Sequence, residues 1–152
     1  ATSIDQVAGL LIEHADAAMA TLCTRITRVE DYRSPHVVKV VSDAAGRALY
    51  FSRAPIPAVG HAGAAPASGD DGFPVSARHI GLYAYRIGAL RALAVSPPCY
   101  LEQCENLEQL RAMWMGLEIR VAQALEPHGP DIDTPDDLQR ALEFMRATGA
   151  AA

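Results

Sequence analysis

The chain has 152 residues, half of them hydrophobic and a fifth charged, enough for one domain with a real core. A formal net charge of −5 offers no basic field for nucleic acid, and no apolar run approaches the ~18–20 residues of a membrane helix. Cys23, Cys99 and Cys104 are odd in number and lack a paired C-x-x-C spacing, so they read as reduced, packed thiols of a cytoplasmic protein.

Ser3 with Gln6 forms a capping-box pattern, and Ile4, Val7, Leu10 and Leu11 repeat at helical spacing, predicting a helix over residues 4–14. Residues 18–26 alternate as a strand. Residues 37–41 and 48–52 are stronger strands, and the turn chemistry of Asp43-Ala44-Ala45-Gly46 between them makes a hairpin. Residues 58–76 are rich in Ala, Gly, Pro and Ser without periodicity, and read as a mobile loop. No glycine-rich phosphate-binding motif occurs in the chain.

The run Arg78-His79-Ile80-Gly81-Leu82-Tyr83-Ala84-Tyr85-Arg86 reads as one strand with two different faces. Ile80, Leu82 and Ala84 point into an apolar layer. His79, Gly81, Tyr83 and Tyr85 point the other way. Four residues of strand would set His79 and Tyr83 roughly 13 Å apart, room for a sugar-sized ligand over Gly81. A half-buried strand with polar tips reaching water is the competing reading.

A short helix is expected near residues 88–95 and a longer one over 101–115, with Cys104, Leu107, Leu110 and Trp114 as its buried stripe. Residues 119–125 form a strand. Thr134-Pro135-Asp136-Asp137 opens the last helix, with Thr134 as N-cap and Pro135 in the first turn. Helices alternate with strands and no repeat is present, which predicts a single α/β unit: a layered mixed sheet flanked by helices. Lys39 is the sole lysine among 13 basic residues, a bias read as compositional.

Several residues could carry chemistry. Glu108 and Gln109 lie one step off the apolar stripe, either at a pocket edge or on a solvated face. Asp133, with Asp131, sits at a strand-to-helix junction, as a metal ligand or as plain helix capping. Arg53, before a Pro-Ile-Pro turn, suits a carboxylate or phosphate, or a surface ion pair. No Ser-His-Asp or Cys-His arrangement stands out.

Taken together, V-V-K-V-V (37–41), A-L-Y-F-S-R-A-P-I-P (48–57), R-H-I-G-L-Y-A-Y-R (78–86), L-E-Q-C-E-N-L-E-Q-L-R (101–111) and D-T-P-D-D-L (133–138) resemble the 3-deoxy-manno-octulosonate (KDO) cytidylyltransferases. The resemblance implies the C-terminal part of a Rossmann-like nucleotidyltransferase domain, joining CTP to KDO to give CMP-KDO and pyrophosphate for lipopolysaccharide. It implies Arg53, His79, Tyr83, Glu108 and Gln109 around the sugar, Asp133 on Mg2+, and a homodimer formed largely through this part. Two departures accompany it. Ala58-Val59-Gly60 stands where the family has tryptophan, an acid and a second arginine. The family's N-terminal half, with its CTP loop and other metal carboxylate, is also missing, so the chain alone should be inactive. Alternatives are a non-catalytic sugar-binding or dimerisation module and a cytidylyltransferase for another acid sugar.

Overall fold

The outer strands of the sheet meet, because its twist brings the first hairpin back across the last strand. The computed structural model describes residues 2–58, 76–129 and 135–148. In chain order the elements are α1 (Thr2–Glu13), β1 (Met19–Arg25), α2 (Val29–Arg33), β2 (Lys39–Ser42) and β3 (Ala48–Ser52). β4 (Ala77–Tyr85), α3 (Ile87–Val95), α4 (Tyr100–Glu105), α5 (Gln109–Trp114), β5 (Ile119–Gln123) and α6 (Pro135–Thr148) follow. Among the described residues they form a mixed sheet in the order β3-β2-β4-β1-β5. β1 and β5 are parallel, whereas the pairings of β1 with β4, β2 with β4 and β2 with β3 are antiparallel. An α/β layered architecture with a mixed sheet is therefore what the chain adopts.

Two apolar layers hold the sheet. On one face, Val7 and Leu11 of α1 pack on Ala20, Leu22 and Ile80, with Leu82 and Ala84 beside them. On the other, Met19, Val40, Phe51, Ile119 and Val121 meet Leu107, Leu110 and Ala112. Fully burying a side chain such as Phe51 or Leu110 contributes about 1.5–3 kcal/mol. The alternation along β4 is as expected: Ile80, Leu82 and Ala84 take the α1 layer, and Tyr83 the opposite one.

Arg86 locks α1 onto the sheet. Its Nε donates to Ala17 O at 2.7 Å, and its Nη2 donates to Leu11 O in the last turn of α1 and to His14 O just beyond it. Gln6 does not reach back to a cap, because the helix already starts at Thr2 and Ser3 lies inside it. Instead Gln6 Nε2 donates to Gln123 O at 2.8 Å and its Oε1 accepts from Leu125 N at 3.1 Å, tying α1 to the end of β5.

The hairpin turn depends on its glycine. Gly46 has φ +78°, its N donates to Asp43 O at 3.0 Å, and a Cβ there would meet Val121 O at 3.1 Å. Gly46 O accepts from Val121 N at 2.8 Å, and Arg47 bridges to Arg120, so the turn closes against β5.

Two elements differ from expectation. α2 lacks a helical apolar pattern; Tyr32 fixes it by packing with Ile26 and donating its hydroxyl to Pro57 O at 2.6 Å. The single helix expected over 101–115 is two, because Asn106 takes a left-handed conformation (φ 51°) between α4 and α5. Leu107 and Leu110 are buried as expected, but Cys104 and Trp114 are exposed. Residues 59–75 and Thr134, which include most of the loop expected over 58–76 and the expected N-cap, lie outside the described residues.

Candidate sugar-binding site

Four rings run in a row across β3 and β4. Phe51 meets His79 edge-on with centroids 5.1 Å apart, His79 meets Tyr83 at 5.2 Å, and Tyr83 meets Tyr85 at 5.7 Å. The expected separation of about 13 Å between His79 and Tyr83 is therefore wrong, and so is a ligand lying between their rings. Strand register gives the cause. Thr21 of β1 pairs with Tyr83 while Leu22 pairs with Ile80, leaving Gly81 and Leu82 as extra residues on β4. This bulge shortens the strand and draws the two rings into contact.

Thr21 is completely buried at the bulge. Its Oγ1 lies 3.0 Å from His79 Nε2, 3.0 Å from Ile80 O and 2.9 Å from Leu82 O. The backbone N of His79 donates to Val38 O at 2.9 Å, which fixes the ring's origin. Nothing in the sequence run marked Thr21; only the pairing of β1 with β4 reveals it.

The Tyr83 hydroxyl is buried and has no hydrogen-bond partner among the described residues. Its phenol pKa is raised, first by burial and then by Tyr85 and Glu108. Tyr85 is raised in the same sense, by burial and then by Glu108. The break at Asn106 places Glu108 at the N-cap of α5, exposed, and Gln109 in its first turn, only 8% exposed. Gln109 is thus no solvated surface residue. Tyr85, Glu108, Gln109, Leu90 and Leu93 line a cavity of about 180 Å³ beside the ring row.

Arg53 is committed elsewhere. Its Nε donates to Glu105 O at 2.9 Å and its Nη1 to Pro35 O at 3.1 Å, so two of its donor groups hold backbone. Glu105, unmarked in the sequence, accepts from Ser52 Oγ at 2.6 Å and from Arg53 N at 2.9 Å. Lys39 completes this knot from the other side. It is fully buried, and its Nζ donates to Ser34 O at 2.7 Å, Val37 O at 2.6 Å and Arg53 O. Burial pulls its pKa down to about 8, with Glu105 opposing that shift.

Asp133 and Asp131 lie outside the described residues, and among those described no group of three or more His, Cys, Asp or Glu could hold a metal ion. A larger cavity of about 510 Å³ opens within the curl of the sheet, lined by Cys23, Arg25, Asp43, Ser76 and Gln123 among others. None of the residues expected around a sugar lines it. Among the described residues no helix is long and apolar enough to cross a membrane.

The cytidylyltransferase family model matches residues 1–119. The 3-deoxy-manno-octulosonate cytidylyltransferase of Thioalkalivibrio sulfidiphilus is 49% identical over 144 residues, 95% of this chain and 57% of that relative. Its counterpart in Alkalilimnicola ehrlichii is 48% identical over 154 residues, 98% of this chain and 58% of the relative. Among solved structures, CMP:2-keto-3-deoxy-manno-octonic acid synthetase complexed with CTP superposes with a TM-score of 0.78 at 34% identity, over 95% of this chain and 56% of that one. The chain thus spans little more than half the length of these relatives. Such shares say how much of a relative is spanned and not which end, and the family model already engages residue 1, so the expected assignment to the C-terminal part is dropped. With a family model covering well over half its length, the chain belongs to the cytidylyltransferase family.

Proposed function

We propose that this chain is the acid-sugar side of an enzyme that joins CTP to KDO, releasing pyrophosphate and forming CMP-KDO. One observation carries the reading. The Tyr83 hydroxyl is buried without a partner among the described residues, in a row with His79 and Tyr85 and within electrostatic reach of Glu108. A buried unpaired hydroxyl is costly, and a polyhydroxylated ligand would satisfy it. His79 and Tyr83 would hold sugar hydroxyls, with Glu108 and Gln109 at the cavity rim. Arg53 would meet the sugar carboxylate with what its guanidinium has left beyond two backbone bonds.

The sugar's anomeric hydroxyl attacks the α-phosphorus of CTP, the new C–O–P bond forms, and pyrophosphate leaves. Such a transfer gains most from holding the two reactants in line. The residues of a complete enzyme that lie outside this chain would supply the rest of the CTP site. A homodimer and a cytoplasmic place of action belong to the same proposal, supported by the exposed Leu49, Tyr100 and Trp114 and by three free thiols.

The test is pyrophosphate release by the complete enzyme carrying this sequence, with CTP and a panel of acid sugars. Release is expected with KDO and to fall at least ~100-fold with a sialic acid, because misplaced hydroxyls leave buried partners unpaired. Equal release with both, or none with KDO, would refute the assignment.

A further inference from the structure

We infer that Glu105 is a positioning residue for Arg53, fixing the root of that side chain and the plane of its guanidinium so that Nη2 is the donor presented to the acid sugar's carboxylate. Glu105 holds Arg53 with its side chain and its main chain at once. Its Oε2 accepts from Arg53 N at 2.9 Å and its Oε1 from Ser52 Oγ at 2.6 Å, while its main-chain O accepts from Arg53 Nε at 2.9 Å. α4 ends at Glu105 because Asn106 turns left-handed (φ 51°), and that frees the Glu105 carbonyl for the guanidinium. Pro35 O takes Nη1 at 3.1 Å, and Nη2 makes no hydrogen bond among the described residues. A planar fork bonded at two of its nitrogens cannot turn, so the place of the third is set.

The consequence for binding rests on the proposed function. The Glu105 carboxylate bonds a backbone N–H and a hydroxyl rather than the guanidinium, and within this knot Lys39 and Arg53, two cations, share that one carboxylate. Lys39 is fully buried on three carbonyls, so the surplus positive charge is open to an anion only at Arg53. Phe51, two residues before Arg53, meets His79 edge-on, and the same strand thus carries the arginine to the end of the ring row.

Nε–Hε correlation spectra of the arginine side chains, in the complete 15N-labelled enzyme carrying this sequence, read the positioning directly. The wild-type Arg53 Nε–H is expected to exchange with solvent at least about 10-fold more slowly than that of an arginine in a peptide, and in Glu105→Ala to approach the peptide rate. In the same enzyme Glu105→Ala should raise KM for the acid sugar about 10-fold with kcat and KM for CTP nearly unchanged. Glu105→Gln, which keeps an acceptor for Arg53 N, should restore that KM to within about 3-fold. Adding Glu105→Ala to Arg53→Met should raise the sugar KM no further, because a residue that acts through Arg53 then has nothing left to place. Wild-type Arg53 exchanging like a peptide arginine overturns the inference, whether or not any variant folds. A Glu105→Ala loss that adds in full to that of Arg53→Met, or that raises both KM values together, also overturns it. The expected exchange pattern in an enzyme inactive on the acid sugar would support the placing of Arg53 by Glu105 and overturn the proposed function instead.

Discussion

Lys39→Met is expected to destabilise the chain by about 3–5 kcal/mol and to lower Tm by about 10 °C, read by thermal or denaturant unfolding. Methionine fills the volume but takes the ammonium donor from the carbonyls of Val37 and Arg53 and leaves Ser34 O only the longer bond from Val37 N at 3.3 Å. Each lost donor to such a group costs about 1–3 kcal/mol. Lys39→Arg should rescue little, since three converging carbonyls suit a compact ammonium with three donors and not a planar fork. The pH dependence has a defined sign. Burial lowers the Lys39 pKa from 10.5 to about 8, so between those values the unfolded chain binds the extra proton. Stability contributed by Lys39 therefore rises with pH through that window and is constant below it. The gap between wild type and Lys39→Met should be wider at about pH 10 than at about pH 7. An equal gap at both values would contradict the buried, pKa-lowered lysine.

Tyr83→Phe is expected to move stability and activity in opposite directions. Removing a buried hydroxyl that has no partner among the described residues relieves a desolvation cost, so unfolding should become harder by about 1 kcal/mol. The same hydroxyl is the group the proposed function assigns to the sugar. In the complete enzyme kcat/KM for the acid sugar should fall about 10–100-fold, with KM for CTP nearly unchanged. A site that gives up stability for binding behaves this way. A variant both less stable and fully active would mean that the hydroxyl serves the fold.

Much of this was legible in the chain because local chemistry dictates it. The Asp43–Gly46 turn needs a residue free to adopt positive φ, and the alternation along β4 needs only period-two patterning. His79, Tyr83, Glu108 and Gln109 were readable as polar groups beside apolar ones. What was not legible depends on partners distant in sequence. The bulge at Gly81 and Leu82 exists only in the register of β4 against β1, and it turns a spacing of about 13 Å into ring contact. The split of the expected helix hangs on one left-handed Asn106, a conformation Asn tolerates without requiring it. Lys39 looked like a compositional accident. Its part becomes clear only once α2, β2 and the end of β3 bring three carbonyls to one point.

Whether the ring row holds the sugar is read directly by an NMR titration of KDO into the complete, 15N-labelled enzyme carrying this sequence. The largest shift changes are expected on residues 79–85 and 108–111, and Tyr83→Phe should weaken the sugar's affinity. Changes centred instead on Cys23, Arg25 and Gln123, around the larger cavity, or saturable binding indifferent to Tyr83, would contradict it.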